Sequence, residues 1–463
     1  MINSINEAKN KNITVIGFGV SHRPLVKLLL EKGAKITVRD KKSVEELGEE
    51  AITLSDKVTF ITGEKYPENI DGEIIFKTPG MRNDKPEFIE AVKNGCELIS
   101  EMELFFRLCP CKIIAVTGSE GKTTTTTLIY NFLKAQGYTC HLGGNIGKPL
   151  LPDIEKIKDS DFAVVELSSF QLNDMTQSGN ISIVTNITPN HLDWHTSMDE
   201  YIDAKKNIFR HQDGNGVLVV NKDDSLSLAC ANEAKGEVRY FSFKGETENG
   251  VYLAENGDII STLGGNKTVI MNRSDIKLPG DHNVQNYMTA AAAVYGLVEN
   301  ETIKKIAREF GGVEHRMEFV REFNGVRYYN DSIATTPTRT IAGLKAQTQK
   351  IIIIAGGYDK NLDYSPLAPY LAKHVKHMVL CGATKNKIKN ALLECKDYDP
   401  NELTIEETED FKAAIYAARN AAKEGDIVYF SPASASFDMF PNFEVKGRFY
   451  KDTVNNFNEE EEK

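Results

Sequence analysis

Residues 115–127 read Ala-Val-Thr-Gly-Ser-Glu-Gly-Lys-Thr-Thr-Thr-Thr-Thr, and this stretch decides the fold at the centre of the chain. It follows the apolar run 113–116 and leads into the apolar pattern 128–133, which predicts a strand, a glycine loop and a helix. That geometry directs backbone N–H groups and a helix N-terminus at one point, which is how proteins hold polyphosphates. Lys122 is then expected to reach the terminal phosphates, and the Thr123 hydroxyl to face Mg²⁺.

The loop departs from the usual phosphate-loop pattern at one position. That pattern has a glycine five residues before Gly121, where this chain has Val116, so the motif is the variant Thr-Gly-x-x-Gly-Lys-Thr. A glycine turn with a solvated lysine is the simpler interpretation. Because Gly118, Gly121, Lys122 and Thr123 occur together between a strand and a helix, the pattern favours a polyphosphate site.

Length, composition and charge exclude several classes of protein. At 463 residues the chain is too long for one ordinary domain, and its 41% apolar residues suffice for real cores. The net charge of −11 argues against a nucleic-acid footprint. We expect no membrane insertion, because no apolar run approaches about 18 residues, and a cytoplasmic location, because the N-terminus lacks an apolar signal core. The seven cysteines form no zinc pattern and indicate reduced thiols.

The chain divides into three α/β stretches, predicted as domains 1–100, 101–312 and 313–463. The first opens with a strand, a Gly17-x-Gly19 turn, a helix and a second strand that ends at Asp40, which predicts a Rossmann-like parallel sheet. His22 stands where the third glycine of the dinucleotide fingerprint would be, which argues against tight NAD binding. The turn therefore holds a different diphosphate, with Asp40 near a ribose or base, or it is a structural turn without a ligand.

Polar residues follow the predicted strands of the second stretch. Glu166 ends a buried strand, where a carboxylate commonly positions Mg²⁺, although it could also be an edge carboxylate. His191 follows the next strand, in a loop where catalytic groups concentrate, yet a lone histidine is more often structural. The helix predicted over Met198–Phe209 carries Lys205 and Lys206, which by themselves most simply form a solvated face.

The remainder of the second stretch mixes short strands with one alanine-rich helix. Asn-Gly pairs at 249–250 and 256–257 predict β-hairpins. Asn283 and Asn286 lie three residues apart just before the helix predicted over Met288–Leu297, so their amides can point the same way. Amides match the donors and acceptors of an adenine edge, but N-capping explains the two asparagines equally well. Strands and helices alternate again from Val313 onward, which predicts a second Rossmann-like domain.

Taken together, these motifs resemble the Mur ligases, the ATP-dependent amide-forming enzymes of peptidoglycan precursor synthesis. The variant loop is that family's form of the phosphate loop, although most members have Thr-Asn where this chain has Ser119-Glu120. Within the family, the chain is most similar to the members that add D-glutamate to UDP-N-acetylmuramoyl-L-alanine. That similarity is carried by four separated segments, residues 100–105, 143–147, 166–172 and 431–436.

The resemblance implies a reaction and its cofactors. ATP phosphorylates the alanyl carboxylate of UDP-N-acetylmuramoyl-L-alanine, and the amine of D-glutamate attacks the acyl phosphate to form an amide. The implied catalytic residues are Lys122, His191 and Lys205. Two Mg²⁺ ions are implied, held by Thr123, Glu166, His191 and Lys205, the last as a carbamate whose anionic oxygen suits Mg²⁺.

The resemblance also implies the binding residues. The ATP site comprises Gly118, Ser119, Glu120, Gly121, Lys122, Thr123, Thr124, Asn145, Asn283, Asn286, Arg316 and Asp331. The UDP-linked substrate is held by Gly17, Gly19, Val20, Ser21, Asp40, Thr78, Pro79, Gly80 and Asn145. D-glutamate is held by Thr335, Lys360, Ser436 and Phe443. In many members a lysine follows Asn-Asp-Ser, whereas this chain has Ile333, so one cation of the amino-acid pocket is missing or replaced.

Three other functions compete with this interpretation. The chain could be another Mur enzyme or a folylpolyglutamate-type relative, a nucleotide-dependent switch or motor ATPase, or an NAD-dependent oxidoreductase. The Gly-x-Gly start and the segment 166–172 disfavour the first, and His22 disfavours the last. A switch or motor predicts ATP turnover without a small-molecule acceptor. We expect small-molecule substrates only, no nucleic acid, and a monomer.

Overall fold

The N-terminal stretch folds as a parallel sheet with helices around it, in a computed structural model that describes residue 2 and residues 4–191 and 194–458. Its elements are β1 (Asn12–Ile16), α1 (His22–Glu31), β2 (Lys35–Asp40), α2 (Val44–Leu47), α3 (Glu49–Leu54), β3 (Thr59–Thr62), β4 (Ile74–Lys77), α4 (Pro86–Lys93) and β5 (Glu97–Ile99). The strand order is β3-β2-β1-β4-β5, and all pairs are parallel. This order is that of a doubly wound sheet, as predicted.

The central stretch forms a nine-stranded sheet. Its elements are α5 (Glu101–Leu108), β6 (Lys112–Thr117), α6 (Lys122–Ala135), β7 (Cys140–Gly144), β8 (Phe162–Glu166), α7 (Ser169–Leu172), β9 (Ile181–Val184), α8 (Met198–Arg210), β10 (Val217–Asn221), α9 (Ser225–Ala229), β11 (Glu237–Ser242), β12 (Gly250–Leu253), β13 (Asp258–Ser261), β14 (Thr268–Asn272), α10 (Asp281–Ala293) and α11 (Asn300–Glu309). The order is β14-β13-β12-β11-β10-β9-β6-β8-β7.

One of the two predicted hairpins is wrong. β11 and β12 pair in parallel, with Tyr240 opposite Gly250, so the Asn249-Gly250 pair does not close a hairpin. The segment between β11 and β12 runs back to the start of β12. Asn249 has a left-handed backbone conformation directly before that strand. The second Asn-Gly pair, 256–257, does join antiparallel strands, β12 and β13. The antiparallel part of this sheet is confined to β12, β13 and β14.

The C-terminal stretch forms a six-stranded sheet. Its elements are β15 (Glu318–Phe323), β16 (Val326–Asn330), α12 (Pro337–Lys345), β17 (Ile351–Ala355), α13 (Ala368–His374), β18 (Val375–Leu380), α14 (Lys385–Leu393), β19 (Thr404–Glu407), α15 (Phe411–Ala421), β20 (Ile427–Phe430) and α16 (Phe443–Asn455). The order is β15-β16-β20-β17-β18-β19, parallel except for β15. Alternate residues of β17 enter two different apolar clusters, because successive side chains point to opposite faces of a buried strand.

The chain separates into two compact units, Met1–Glu309 and Phe310–Lys463. The first unit holds both the N-terminal and the central sheet, and a buried ion pair joins them, with Lys77 Nζ 2.6 Å from Asp174 Oδ2. The division of this unit near residue 100 stays a prediction. Among the described residues, no helix combines the length and the apolar character that crossing a membrane requires.

Glu101, the first residue of α5, places a buried carboxyl at the junction between these two sheets. Burial raises the pKa of the Glu101 carboxyl to about 7, opposed by the hydrogen bond that Oε1 accepts from the Leu151 N–H at 3.3 Å. The folded chain therefore keeps this proton over a pH range in which the unfolded chain, with a carboxyl pKa of about 4.3, has released it. The free energy of unfolding should thus fall by about 1.4 kcal/mol per pH unit across that range.

The variant Glu101→Gln removes this titration while keeping an oxygen that accepts the Leu151 N–H. Relative to the natural chain, we expect it to melt at a higher temperature at pH 8, where the buried carboxylate is charged, and to lose that advantage at pH 5. Thermal melts at the two pH values measure the effect, and Glu90→Gln on the exposed face of α4 is the control. Equal shifts at both pH values would contradict the prediction.

Candidate active site

The predicted site residues of the first unit follow the carboxyl ends of neighbouring parallel strands. The phosphate loop follows β6, Asn145 follows β7, Glu166 ends β8 and His191 lies in the segment after β9. These strands are adjacent in the order β9-β6-β8-β7, so their ends meet at one edge of the sheet. Ligands of open α/β sheets bind at this edge.

The phosphate loop needs both of its glycines. Val116, at the position of the missing glycine, lies within β6 and pairs with Glu166 and Ile183, so the loop begins only after Thr117. Gly118 has φ +150°, and a Cβ there would lie 1.9 Å from Thr185 Oγ1. Gly121 has φ +76°, caps α6, and a Cβ there would lie 2.5 Å from Asn286 Oδ1. Among the described residues, no side chain caps α6, which leaves the positive end of its dipole open to an anion.

The Ser119-Glu120 departure is accommodated by neighbouring side chains. Ser119 Oγ accepts a hydrogen bond from the Thr188 N–H at 2.9 Å and lies 2.9 Å from the Tyr201 hydroxyl. Asn186 Oδ1 accepts the Glu120 N–H at 2.8 Å, while the Glu120 side chain is exposed. The loop conformation therefore depends on Tyr201 and Asn186, which the sequence reasoning did not single out. Only their places, in α8 and directly after β9, could have indicated them.

Two lysines converge on one carbonyl of the loop. Lys122 Nζ donates to Gly118 O at 3.0 Å and to Ser119 O at 3.0 Å. Lys205 Nζ donates to Gly118 O at 2.9 Å from a side chain that is 2% exposed. Burial and repulsion by Lys122 hold the pKa of the Lys205 amine well below its usual range, against the attraction of Glu166. A neutral amine is therefore favoured at Lys205.

Lys206 has a different environment from its neighbour. It forms an ion pair with Glu233, whose side chain is 46% exposed. Within α8, successive residues lie about 100° apart, so only one of the two lysines can face the loop. The structure places Lys205 there.

Glu166 fits a divalent cation. The residue is 1% exposed; its Oε1 accepts a hydrogen bond from Asn145 Nδ2 at 2.7 Å. Its Oε2 is also buried, yet it accepts no hydrogen bond from the described residues. A buried carboxylate oxygen without a donor is costly unless a cation lies beside it, and Mg²⁺ prefers such oxygens.

The other predicted metal residues have distinct surroundings. Thr123 is buried in the first turn of α6. His191 is exposed, has φ +55°, and its ring centroid lies 4.8 Å from that of Phe170. Within the described part of the chain, no three His, Cys, Asp or Glu side chains group as a metal site by themselves. A metal here therefore needs the threonine hydroxyl, a modified lysine or substrate oxygens.

The two central asparagines do not cap their helix. Helix α10 begins at Asp281, seven residues earlier than predicted, and its N-cap is Gly280. Asn283 Nδ2 donates to Pro279 O at 2.7 Å, and Asn286 Nδ2 donates to Asn283 Oδ1 at 3.3 Å. The pair thus packs beside the phosphate loop, where Asn286 contacts Gly121.

The N-terminal turn is held by its own chain. Asp40 Oδ2 accepts the Phe18 N–H at 2.7 Å, and Oδ1 accepts the Lys42 N–H at 2.9 Å. His22 is buried with Nδ1 2.7 Å from Gly17 O, and burial lowers the pKa of its imidazole. His22 therefore stabilises the turn, at the position where the dinucleotide fingerprint has its third glycine.

The remaining predicted residues of the UDP-substrate site lie near this turn and after β4. Val20 is 83% exposed, and Ser21 provides no side-chain cap for α1. Gly17 requires its open α-carbon, because a Cβ there would lie 2.8 Å from Thr78 Cγ2. Gly80 O accepts a hydrogen bond from Trp194 Nε1 at 2.9 Å. The turn after β1 and the loop after β4 therefore touch.

Arg316 and Asp331 belong to the second unit. Arg316 is exposed, whereas Asp331 is buried, and burial raises the pKa of the Asp331 carboxyl to about 6. Asp331 Oδ2 accepts hydrogen bonds from the Tyr429 hydroxyl at 2.8 Å and from the Ser431 hydroxyl at 3.0 Å. The Asp331 carboxylate, predicted to bind ATP, is thus hydrogen-bonded within its own unit.

The predicted D-glutamate residues also follow the carboxyl ends of adjacent strands. Thr335 follows β16, Lys360 follows β17, and Ser436 and Phe443 follow β20. The Lys360 and Ser436 loops touch, because the Tyr358 N–H donates to Ala435 O at 2.8 Å. At the position of the missing lysine, Arg339 Nη1 donates to Ile333 O at 3.1 Å, so a guanidinium contacts this backbone.

A phosphate loop at the carboxyl edge of a parallel sheet, with a buried lysine and an unsatisfied buried carboxylate oxygen beside it, defines a P-loop enzyme of the α/β class. Three family models match the chain in order. They are the Mur ligase MurD-like N-terminal domain over residues 11–100, the Mur ligase middle domain over 116–294 and the Mur ligase glutamate ligase domain over 315–434. The chain belongs to the Mur ligase family.

Curated relatives and solved structures agree with this assignment. UDP-N-acetylmuramoylalanine–D-glutamate ligase of Acetivibrio thermocellus is 50% identical over 96% of this chain and 97% of its own. The ligase of the same name from Clostridium novyi is 49% identical over 97% of both chains. The crystal structure of UDP-N-acetylmuramate-alanine ligase MurC from Thermotoga maritima shares the fold with a TM-score of 0.54, at 18% identity, covering 96% of this chain and 99% of that one.

Proposed function

We propose that this chain joins D-glutamate to UDP-N-acetylmuramoyl-L-alanine with ATP, in peptidoglycan precursor synthesis. The observation that carries the proposal is the 50% identity, over nearly the whole of both chains, to a ligase named for these two substrates. The phosphate loop with its two lysines supports it independently, because it provides a site for the nucleotide that such a ligase consumes.

The reaction proceeds in two balanced steps. A carboxylate oxygen of the alanyl group attacks the γ-phosphorus of ATP, forming an acyl phosphate and releasing ADP. The neutral amine of D-glutamate then attacks the acyl carbon, the C–O bond to phosphate breaks, and the nitrogen loses one proton to solvent as the amide forms. Both reactants of the first step are anions, so positive charge must lie between them, and most of the catalysis is positioning and electrostatics. Lys122 supplies such a charge from the first residue of α6.

We assign two Mg²⁺ ions to this edge of the sheet. Thr123 and Glu166 would hold the first ion, and His191 and carbamylated Lys205 would hold the second. The support is the buried Glu166 Oε2, which accepts no hydrogen bond from the described residues, and the buried Lys205 amine, whose pKa is lowered by burial and by Lys122. When bound, the ions neutralise the anions that must approach each other.

We assign the substrate contacts to the loops at the three sheet edges. The turn at Gly17 and the loop Thr78–Gly80 hold the UDP-linked substrate, and Asn145 lies at the junction of substrate and nucleotide. We assign Asn283 and Asn286 to adenine, and Arg316 and Asp331 to ATP. We assign D-glutamate to Thr335, Lys360 and Ser436, in the loops after β16, β17 and β20, and to Phe443, the first residue of α16. We place the enzyme in the cytoplasm, which its seven free cysteines support. We also propose that it is a monomer.

The test is an acceptor panel. Phosphate release from ATP is measured with UDP-N-acetylmuramoyl-L-alanine and, separately, D-glutamate, L-alanine, meso-diaminopimelate or L-lysine. We expect turnover with D-glutamate only. Turnover with a different amino acid would assign the chain to another member of the family, and equal turnover without any amino acid would indicate a nucleotide switch or motor.

A further inference from the structure

Arg82 connects the loop after β4 to the segment before α8. Its Nη2 lies 2.9 Å from Glu200 Oε1, and its Nη1 donates to Trp194 O at 3.1 Å. The guanidinium lies over the Trp194 indole, 5.1 Å from the ring centroid, and also binds Asp84. Trp194 returns a contact to the same loop by donating Nε1–H to Gly80 O at 2.9 Å. We call this group the Arg82 brace; it consists of Arg82, Trp194 and Glu200.

The Arg82 brace adjoins the candidate catalytic residues on two sides. Glu200 lies in the first turn of α8, the helix that carries Lys205. The ring centroids of Trp194 and Phe170 lie 4.9 Å apart, and those of Phe170 and His191 lie 4.8 Å apart. The hydrogen bond from Arg82 lowers the pKa of the Glu200 carboxyl to about 2, so the pair stays ionic at neutral pH.

We propose that Arg82 is a positioning residue. It holds the loop after β4, which carries Thr78–Gly80, in a fixed position relative to His191 and Lys205. This inference rests on the proposed function, because it assumes that the loop Thr78–Gly80 lines the path of the UDP-linked substrate. Arg82 lies on the loop after β4 and contacts Asp84, Trp194 and Glu200. Its effect is therefore on geometry, and a misplacement of about 1 Å can cost up to about a hundredfold in rate.

The chain contains one tryptophan, so its emission reports on the brace directly. In Arg82→Gln we expect a red-shifted Trp194 emission in the free protein, because the guanidinium no longer covers the indole. We expect kcat to fall about tenfold, while the Kd for the UDP-linked substrate, measured by calorimetry, changes by less than about twofold. Arg82→Lys should restore part of the kcat and part of the natural Trp194 emission, because lysine keeps the positive charge but lacks the planar guanidinium.

Arg23→Gln is the matched control, since Arg23 in α1 pairs with Glu50 in α3 of the same N-terminal stretch, at a similar exposure. It should leave emission and kcat unchanged. An unchanged emission and kcat in Arg82→Gln would overturn the inference, and so would a loss confined to substrate affinity, which would make Arg82 a direct ligand. Failure of the proposed function would show as an absence of D-glutamate turnover in the natural chain. The Trp194 emission can still be measured in that case, because it requires no turnover.

A second observation concerns Cys109 and Cys111, whose Sγ atoms lie 3.5 Å apart. Cys109 ends α5 and is partly exposed, whereas Cys111 is buried directly before β6. The hydrogen bond between the two sulfurs lowers the pKa of the Cys109 thiol and raises that of the Cys111 thiol. The Asp161 carboxylate faces both thiols and opposes ionisation. Cys109 is thus the attacking thiol and Cys111 the resolving one.

We infer that this pair is an oxidation site for hydroperoxides. The Cys109 thiolate attacks one peroxide oxygen, the O–O bond breaks, and a sulfenic acid and hydroxide form. The Cys111 sulfur then displaces the sulfenic oxygen, and the two thiol protons end in water. In total, two thiols and one hydrogen peroxide give one disulfide and two waters, and a thiol reductant reverses the change.

Trypsin releases both cysteines in one pentapeptide, Leu108–Lys112, which contains no other cysteine. After hydrogen peroxide and then iodoacetamide, we expect this peptide to be unalkylated and lighter by two hydrogens before Cys96 or Cys395, both partly exposed, reacts. Dithiothreitol should restore alkylation, and in Cys111→Ser the peptide should carry an oxidised Cys109 instead. Full alkylation of Leu108–Lys112 when Cys96 is already oxidised would overturn the inference.

Discussion

Lys122→Ala should lower kcat by at least about a hundredfold in the D-glutamate-dependent release of phosphate. The Lys122 ammonium lies on the phosphate loop, donating to the carbonyls of Gly118 and Ser119. Its charge is needed where an anionic carboxylate approaches an anionic phosphate. Alanine keeps the helix, since it is the best helix former, but removes that charge from the transition state.

The control for this variant is Lys134→Ala, which removes a lysine from the last turn of the same helix. Lys134 lies over the Tyr130 ring, and its loss should leave turnover unchanged. Steady-state kinetics at saturating ATP and UDP-linked substrate separate the effect on kcat from one on binding. Turnover of Lys122→Ala close to that of the control would remove Lys122 from the proposed chemistry.

Lys205→Ala should also abolish most activity, by at least about a hundredfold. Carbamate formation requires a neutral amine, whose nitrogen attacks the carbon of CO₂ and then loses a proton. Burial and the Lys122 charge already favour that neutral form. We therefore expect the activity of the natural chain to depend on bicarbonate. We also expect small carboxylic acids such as formate to restore part of the activity of Lys205→Ala, because they supply the missing anionic oxygen.

Lys206→Ala is the matched control, because it removes the neighbouring lysine, which pairs with Glu233. It should retain full activity and full bicarbonate dependence. Carbon-13 NMR with labelled bicarbonate should show a carbamate signal in the natural chain and in Lys206→Ala, and none in Lys205→Ala. Absence of the signal together with absence of rescue would reject the carbamate.

Much of the fold could be predicted from local patterns. Strands β6 and β8, which lead to site residues, read as apolar runs that end close to a glycine or an acid, at Gly118 and Glu166. The prediction was wrong where pairing is not local. The Asn249-Gly250 pair has the residues of a hairpin turn, yet β12 lies parallel to β11, because the partner of a strand depends on the whole sheet.

The candidate site likewise has one part that local sequence predicts and another that depends on contacts between distant residues. The phosphate loop is one continuous segment, so its two glycines and Lys122 were readable in the sequence. The contacts that hold it come from Tyr201 and Asn186, more than sixty residues away. Their sequence neighbourhoods have no distinguishing pattern, since a hydroxyl or an amide side chain binds whatever the fold brings beside it.

By itself, the sequence determined that the centre of this chain is a strand, a phosphate loop and a helix, because glycine and lysine spacing acts within a few residues. It also determined that polar groups follow buried strands. Only the tertiary structure decided that Lys205, and not Lys206, faces that loop, and that Asp40 and His22 hold their own turn. The physical reason is that burial, charge repulsion and hydrogen-bond partners are set by strand order and helix rotation, which bring distant residues together.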